Sequence, residues 1–246
     1  MTPDLEPHLA NCRDYWLGWG AAARSGGALA YYRSDIAHSQ LNGVLRAQDP
    51  GRVRQAAEAM GDVPWLWWVG PDSAGGIADE LVRHGAELAG AMPIMAVDLD
   101  RLAPVEQPAG LEIAPVDALE EWVNAYGPSF GVTGDLIDEA VRNESARTDD
   151  ARIVRLVGRI DGRAVGTALL YDAHGVAGVY VVATAEPYRR RGIGAALTAA
   201  ALQAGRERGL AIGTLQASGM GAPVYRRMGF VEVGEYRLFS PPPRTG

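Results

Sequence analysis

The chain contains no lysine, so all 23 of its basic residues are arginine. That absence excludes a Walker-type phosphate loop, which requires Gly-Lys-Ser/Thr. Together with the richness in alanine and arginine it looks like the codon bias of a GC-rich genome. Cysteine is nearly absent as well. Cys12 stands alone, so no internal disulfide can form, thiol-nucleophile chemistry has no support, and a reducing cytoplasm is the expected location. The four histidines, His8, His38, His84 and His174, show no metal-ligand spacing with that cysteine, so no metal is expected. Membrane-spanning runs are missing, since the most apolar stretch, Ala195–Leu202, is far too short. The opening residues Met1–Glu6 offer no basic region followed by an apolar core, so no secretory leader is expected. Positive charge is also in deficit. A net charge of −7 makes the chain a poor candidate for wrapping nucleic acid, although Arg189–Arg191 forms a local basic patch.

What is present is ample material for a core. With 246 residues and 48% hydrophobic composition the chain can build one large or two ordinary domains. A proline-punctuated stretch at 103–110 reads as a linker, dividing the chain into 1–102 and 111–246. In the second part, Leu111–Pro115 reads as a strand, after which Asp117 is expected to cap a helix carrying Leu119, Trp122, Val123 and Tyr126 at helical spacing. A further helix is expected over Gly134–Asn143. Ile153–Ile160 and Ala164–Tyr171, joined through Asp161-Gly162, give a strong hairpin signal. Thr214–Ala217 reads as a strand, Pro223–Met228 as a helix with Gly229 just past its end, and Val231–Phe239 as a last strand. The second part is therefore α+β with a mixed sheet.

The most informative segment lies inside it. Gly178–Ala183 reads as a strand, Thr184–Gly194 as a turn holding Arg189, Arg190, Arg191, Gly192, Ile193 and Gly194, and the apolar run from Ala195 as a helix. Glycines there let the backbone turn and approach a ligand closely. The first helical amides lack intrahelical partners, and the helix dipole adds positive potential. Such a site suits a pyrophosphate. A dinucleotide fingerprint would need Gly-x-Gly-x-x-Gly, but Gly192-Ile193-Gly194 is followed by Ala195-Ala196-Leu197.

Arg189-x-x-Gly192-x-Gly194 resembles the acyl-CoA signature of the GNAT superfamily of N-acetyltransferases, (Arg/Gln)-x-x-Gly-x-(Gly/Ala). A second block, Leu215–Ser218 followed by Tyr225-Arg226-Arg227-Met228-Gly229-Phe230, resembles the family's next strand and its Tyr-x-x-x-Gly-Phe signature. The resemblance covers roughly 111–240 and implies a GNAT-like mixed β-sheet flanked by helices. It implies an acetyl-CoA-dependent N-acyltransferase in which a neutral amine of a small molecule or peptide attacks the thioester directly. Backbone groups of Val182, Ala183 and Thr184 would meet the pantetheine arm, Arg189–Ala195 would hold the pyrophosphate, and Tyr225 would protonate the leaving thiolate. Where many members carry an asparagine that touches the cofactor, this chain has Ser218, a shorter reach. Members often place a base glutamate on the strand before the turn, and here that region reads Gly178-Val179-Tyr180. Glu186, Asp172 and His174 read as turn and loop residues, so the base is unassigned. An aminoacyl-tRNA-dependent transferase on the same fold and a non-catalytic CoA-binding or sensory module remain as alternatives, the acidic charge weighing against the first and Tyr225 against the second.

The first part shows traces of the same plan. Leu81–Glu87 parallels Tyr225–Val231 in its helix, glycine and strand, Trp65–Pro71 reads as a strand before it, and Met95–Leu99 as one after it. This suggests two tandem GNAT-like halves, the first degenerate, because nothing between Gly20 and Pro64 places a basic residue two positions before Gly-x-Gly after a strand. Trp16, Trp19, Trp65, Trp67 and Trp68 are candidates for lining an acceptor pocket. The alternation of Trp65 and Trp67 equally suits a core face between the halves.

Overall fold

Punctuation by glycine and alternation of apolar residues resolve into a regular succession of elements in the computed structural model, which describes residues 4–241. Met1 to Pro3, on which part of the reading of the opening segment rests, lie outside the described residues. The first half runs α1 (Glu6–Leu17), β1 (Ala23–Gly26), β2 (Leu29–Arg33), β3 (Asn42–Ala47), α2 (Val53–Met60), β4 (Leu66–Val69), α3 (Ile77–Arg83) and β5 (Glu87–Asp98). The second half runs β6 (Glu112–Pro115), α4 (Leu119–Phe130), α5 (Asp135–Ser145), β7 (Ile153–Ile160), β8 (Arg163–Ala173) and β9 (Val176–Thr184), then α6 (Ile193–Glu207), β10 (Ile212–Gln216), α7 (Ala222–Arg227) and β11 (Val231–Ser240). The fold is α+β, with one large mixed sheet flanked by helices.

Local rules account for much of this. Asp161 and Gly162 both take positive φ, 50° and 73°, the requirement of the tight turn that joins β7 to β8. Trp122, Val123 and Tyr126 are buried on one side of α4 as their spacing demands. The expected cap is not made. The residue before α4 is Ala118, in extended conformation and with no side-chain cap, so Asp117 stands one position too early for its carboxylate to reach the first helical amides.

Eleven strands form a single sheet in the order β1-β2-β3-β4-β11-β5-β10-β9-β8-β7-β6. Among the described residues only β3–β4 and β9–β10 pair in parallel, and these are equivalent junctions in the two halves. The repeat extends to the helix ends: Gly85 and Gly229 both have positive φ, and the amides just beyond, Ala86 to Leu81 O (2.9 Å) and Phe230 to Tyr225 O (3.0 Å), close α3 and α7 in the same way. The halves are interleaved at their last strands. β5 lies between β10 and β11 of the second half, and β11 lies between β4 and β5 of the first. Ile94, Met95, Ala96 and Val97 of β5 are consecutively buried, the pattern of a strand covered on both faces.

One face of the sheet carries α1, α4 and α5 over a core shared by both halves. The opposite face carries α6 and α7 in the second half and α2 and α3 in the first. Trp65 and Trp67 belong to that last cluster, with Phe239 of β11 packed beside them, so they are core residues. Trp68, pointing the other way, joins the shared core.

The interleaving predicts that residues 105–246 expressed alone are insoluble or unfolded, because removal of β5 strips both edges that β10 and β11 use. Supplying residues 1–104 by co-expression is expected to restore soluble protein. A monodisperse, folded 105–246 fragment by size exclusion and circular dichroism would contradict the exchange.

Candidate functional site

The two parallel strands of the second half part company. β9 and β10 pair only at Val176↔Ile212, Ala177↔Gly213 and Gly178↔Thr214, although β9 continues to Thr184 and β10 to Gln216. At the point of separation Gly178 meets the first half. A Cβ there would lie 2.1 Å from Asn11 Oδ1, so only glycine fits. Asn11, fully buried on α1, donates its amide to the carbonyls of Tyr171, Ala173 and Val176 at 3.0–3.2 Å. Its oxygen accepts from the Tyr180 hydroxyl at 2.7 Å. Two residues on, the other edge of β9 bulges. Thr167 pairs with Ala183 and Leu169 with Tyr180, so Val181 and Val182 together face Ala168. Val181 has φ of +50°, a strained conformation for a β-branched residue that costs about 1–3 kcal/mol. Thr167 Oγ1 donates to its carbonyl at 2.7 Å and holds it there.

A cavity of about 190 Å³ opens at this divergence. Its floor comes from Val179–Val182, Leu215 and Gln216, one end from Ser218 and Tyr225, and one wall from Tyr15, Trp16, Trp19 and Trp68 of the first half. Tyr126 and Phe130 of α4 close it, and His38 and Gln40 also line it. Trp65 and Trp67 do not line it, since β4 alternates and turns them to the opposite face.

The basic turn adjoins this cavity. After a short 3-10 turn at Glu186–Tyr188, Gly192 precedes α6 with φ of +81° and no side-chain cap, a conformation glycine adopts without penalty. Arg190 also has positive φ. The Ala196 amide makes the bond to Gly192 O at 3.0 Å, so the amides of Ile193, Gly194 and Ala195 precede the i→i−4 ladder. Gly194 is different from Gly192. A Cβ on it would meet Thr184 Oγ1 at 3.6 Å and Val182 Cγ1 at 3.8 Å, ordinary contacts, so the fold itself does not require glycine there. The same contacts bring the first turn of α6 against Val182 and Thr184 of β9. Arg189 Nε donates to Thr184 O at 3.2 Å, and Arg191 donates to Pro187 O at 3.4 Å while its guanidinium lies over the Tyr188 ring. Ile193 and Ala183 are buried.

Tyr225 packs against Phe230 with ring centroids 5.7 Å apart. Burial pushes its phenol up to about 12, the Thr198 hydroxyl pulling the other way. Ser218 Oγ accepts from the Gly221 amide at 3.1 Å, which fixes the turn into α7 and leaves the hydroxyl hydrogen to be donated. No carboxylate lines the cavity. Tyr180 stands on β9 instead, bonded to Asn11 and stacked on Tyr15 at 3.8 Å. His174 is hydrogen-bonded to Asp14 at 2.8 Å and Asp172 pairs with Arg208 at 3.6 Å, and neither lines the cavity. Among the described residues no group of three or more His, Cys, Asp or Glu is placed to hold a metal ion, and no helix is long and apolar enough to cross a membrane.

Residues 116–230 match the family model described as acetyltransferase (GNAT) family. The chain carries a GNAT acetyltransferase domain. Its fold is that of GCN5-related N-acetyltransferases. Similar solved structures include a GCN5-related N-acetyltransferase from Kribbella flavida, 25% identical, with 96% of each chain covered and a TM-score of 0.70. A GCN5-related N-acetyltransferase from Sphaerobacter thermophilus is 24% identical over 78% of this chain and 64% of that one, at a TM-score of 0.60. A tandem GNAT protein from the clavulanic acid biosynthesis pathway is 18% identical over 90% of this chain and 82% of its own, at a TM-score of 0.59, which speaks for the fold. No curated protein matches the sequence.

The equivalent junction in the first half, between β3 and α2, has no arginine triplet. Asp49 turns its own carboxylate onto the Gly51 amide at 2.9 Å, so this turn carries a negative charge where the other carries three arginines. The sequence offered Trp16 and Trp19 as pocket-lining candidates but not Asn11 and Tyr15, which stand with them on α1 outside the residues matched by the family model. One signal was available: Gly178, an isolated glycine within a strand, marks a close approach by another group.

Asn11→Ala is expected to lower unfolding free energy by about 2–4 kcal/mol, because it strands the Tyr180 hydroxyl and three carbonyls. Chemical denaturation checks this, and a loss below about 0.5 kcal/mol would mean that Asn11 does not pin the divergence.

Proposed function

We propose that the protein transfers an acetyl group from acetyl-CoA to a primary amine of a small molecule or peptide by direct attack. The observation that carries this reading is the divergence of β9 from β10, whose cavity reaches Tyr225 and whose strand β9 meets the first turn of α6 where Val182 and Thr184 lie against Gly194. Backbone amides of Arg191–Ala195 with the Arg189–Arg191 side chains suit a pyrophosphate, and the openness at Gly194 suits its close approach. The unpaired edge of β9 at Val182–Thr184 suits the amide-bearing pantetheine arm, with Ser218 as an added donor. The thioester carbonyl then accepts from β9 backbone amides, which stabilise the oxyanion as it forms. The amine lone pair attacks the carbonyl carbon, the C–S bond breaks, and the Tyr225 phenol protonates the leaving sulfur while the nitrogen gives up its proton. Holding the reactants in line does most of the work. Because Asp49 puts negative charge in the corresponding turn of the first half, one acetyl-CoA is expected per chain.

Gly194→Leu is expected to leave the melting temperature unchanged or raised, since glycine inside a helix costs about 0.5–1 kcal/mol, while abolishing acetyl-CoA binding by calorimetry. Undiminished binding would contradict the assignment of this turn. Tyr225→Phe keeps the ring packing and removes the donor. Turnover is expected to fall by about 10²–10⁴-fold with acetyl-CoA affinity nearly unchanged, and equal turnover would return Tyr225 to a packing role. Since burial holds this phenol up to about 12, the wild-type rate should show no alkaline decline through pH 10. A fall beginning near pH 9 would remove Tyr225 as the acid.

A further inference from the structure

The cavity that reaches Tyr225 has no Asp, Glu or Arg in its lining. Its titratable members are Tyr15, Tyr126, Tyr180 and Tyr225, all raised by burial and so neutral, and His38, whose Nδ1 already accepts from the Gln40 amide at 3.3 Å. The charges packed behind this wall satisfy one another: Glu144 pairs with Arg155 at 2.9 Å and Arg147 with Asp149 at 2.9 Å. An ammonium entering here would lose its water and meet no anion.

Four lining groups are buried without a hydrogen-bond partner, among them the Tyr126 hydroxyl and the Gln216 amide nitrogen. Tyr126 is 97% buried, being 3% exposed. The Gln216 nitrogen can only donate, and the Tyr126 hydroxyl can donate too. The indole nitrogens of Trp16 and Trp68 are also unpartnered but approach the Cys12 thiol and the Tyr32 hydroxyl, so they make no separate demand. The unmet groups therefore call for acceptor atoms, set among the ring faces of Trp19, Trp68 and Phe130.

Resting on the acyl-transfer reading above, we propose that the acceptor is a flat, uncharged aromatic amine. Its nucleophilic nitrogen is attached to the ring, and it carries an oxygen or ring nitrogen that accepts from Tyr126 and Gln216. Magnitudes favour this class. An alkylamine with lysine-like basicity is neutral in only about one molecule in 10³ at pH 7, a penalty of about 4 kcal/mol. The aromatic wall attracts an ammonium through its ring faces, but that holds the form that cannot attack. An arylamine arrives as the free base, so the missing carboxylate is not needed. Its lone pair forms the N–C bond, the C–S bond breaks, the Tyr225 proton passes to sulfur, and the proton shed by nitrogen restores the phenol, giving anilide and free thiol.

The test uses the full chain, acetyl-CoA and a matched pair, 4-aminobenzamide and 4-(aminomethyl)benzamide, with aniline as a third acceptor. At pH 7 the arylamine is expected to show kcat/KM at least tenfold above its aminomethyl counterpart, with a rate level between pH 6 and 9. Tyr126→Phe and Gln216→Leu should each raise KM for 4-aminobenzamide about 2–10-fold, the worth of one neutral hydrogen bond, and leave aniline almost unchanged. Preference for the aminomethyl compound, with a rate climbing tenfold per pH unit, overturns the proposal. So does failure of 4-aminobenzamide either to quench the tryptophan fluorescence of the protein or to be acetylated. Calorimetry with acetyl-CoA alone separates the two readings: loss of acetyl-CoA binding with fluorescence quenching intact defeats the acetyl-transfer reading, while acetyl-CoA binding without arylamine binding defeats only the acceptor class.

Discussion

β5 is hydrogen-bonded along both edges by strands of the other half of the chain, β10 on one side and β11 on the other. That pairing is the constraint on which the remaining architecture depends. Without β5, β10 keeps only its short parallel pairing with β9, and β11 keeps only its three register pairs with β4. Backbone groups left unpaired in a buried sheet are costly, so neither half can settle its last strands alone. The GNAT domain therefore holds its diverging strand pair in place through a strand that lies outside the residues matched by the family model.

A second tie runs through α1. Its Asn11 meets Gly178 where β9 and β10 separate, and Tyr15 stacks on Tyr180 one turn further. Arg147, between α5 and β7, is buried, donates to Tyr15 O and to Asp149, and lies over the Tyr15 ring. Gly18 leaves the room for that guanidinium, since a Cβ there would come within 2.3 Å of it. Buried charge of this kind adds little net stability when paired and costs heavily when one partner is lost, so it acts to fix where α1 sits. The placement matters because α1 supplies the aromatic wall of the cavity.

The two halves share a plan and divide the work. Strand, turn and helix recur in each, but Arg189–Arg191 stand in one turn and Asp49 in the other. A carboxylate bonded to the Gly51 amide puts negative charge in the turn of the first half, where the second half carries three arginines. The cavity between them takes its chemistry from this division: an aromatic face from one half, a phenol and an unpaired strand edge from the other, and no charged side chain from either.

Features set by a few neighbouring residues were legible in the sequence. Asp161-Gly162 fixes a tight turn because both positions need positive φ, Gly192 fixes the start of α6 for the same reason, and the Tyr225–Gly229 block closes its helix through its own backbone. The Asp117 cap was misread by one position, because the chain before α4 stays extended through Ala118 and only the path set by tertiary packing fixes the first helical residue. The tryptophans were legible as apolar mass, and the alternation of β4 as well. Which face each would take depended on where the halves meet, and Trp65 and Trp67 went to the core while Trp68 went to the cavity. The exchange of β5 and β11, the reach of Asn11 to Gly178 and the meeting of α1 and α7 residues around one cavity join residues more than a hundred positions apart. No local pattern encodes such pairings, because they are selected by the burial of β5 on both faces and by the fit of one glycine to one amide. Sequence alone thus determined the glycine-bearing turn and the helix that carries Tyr225, while tertiary structure decided what surrounds them.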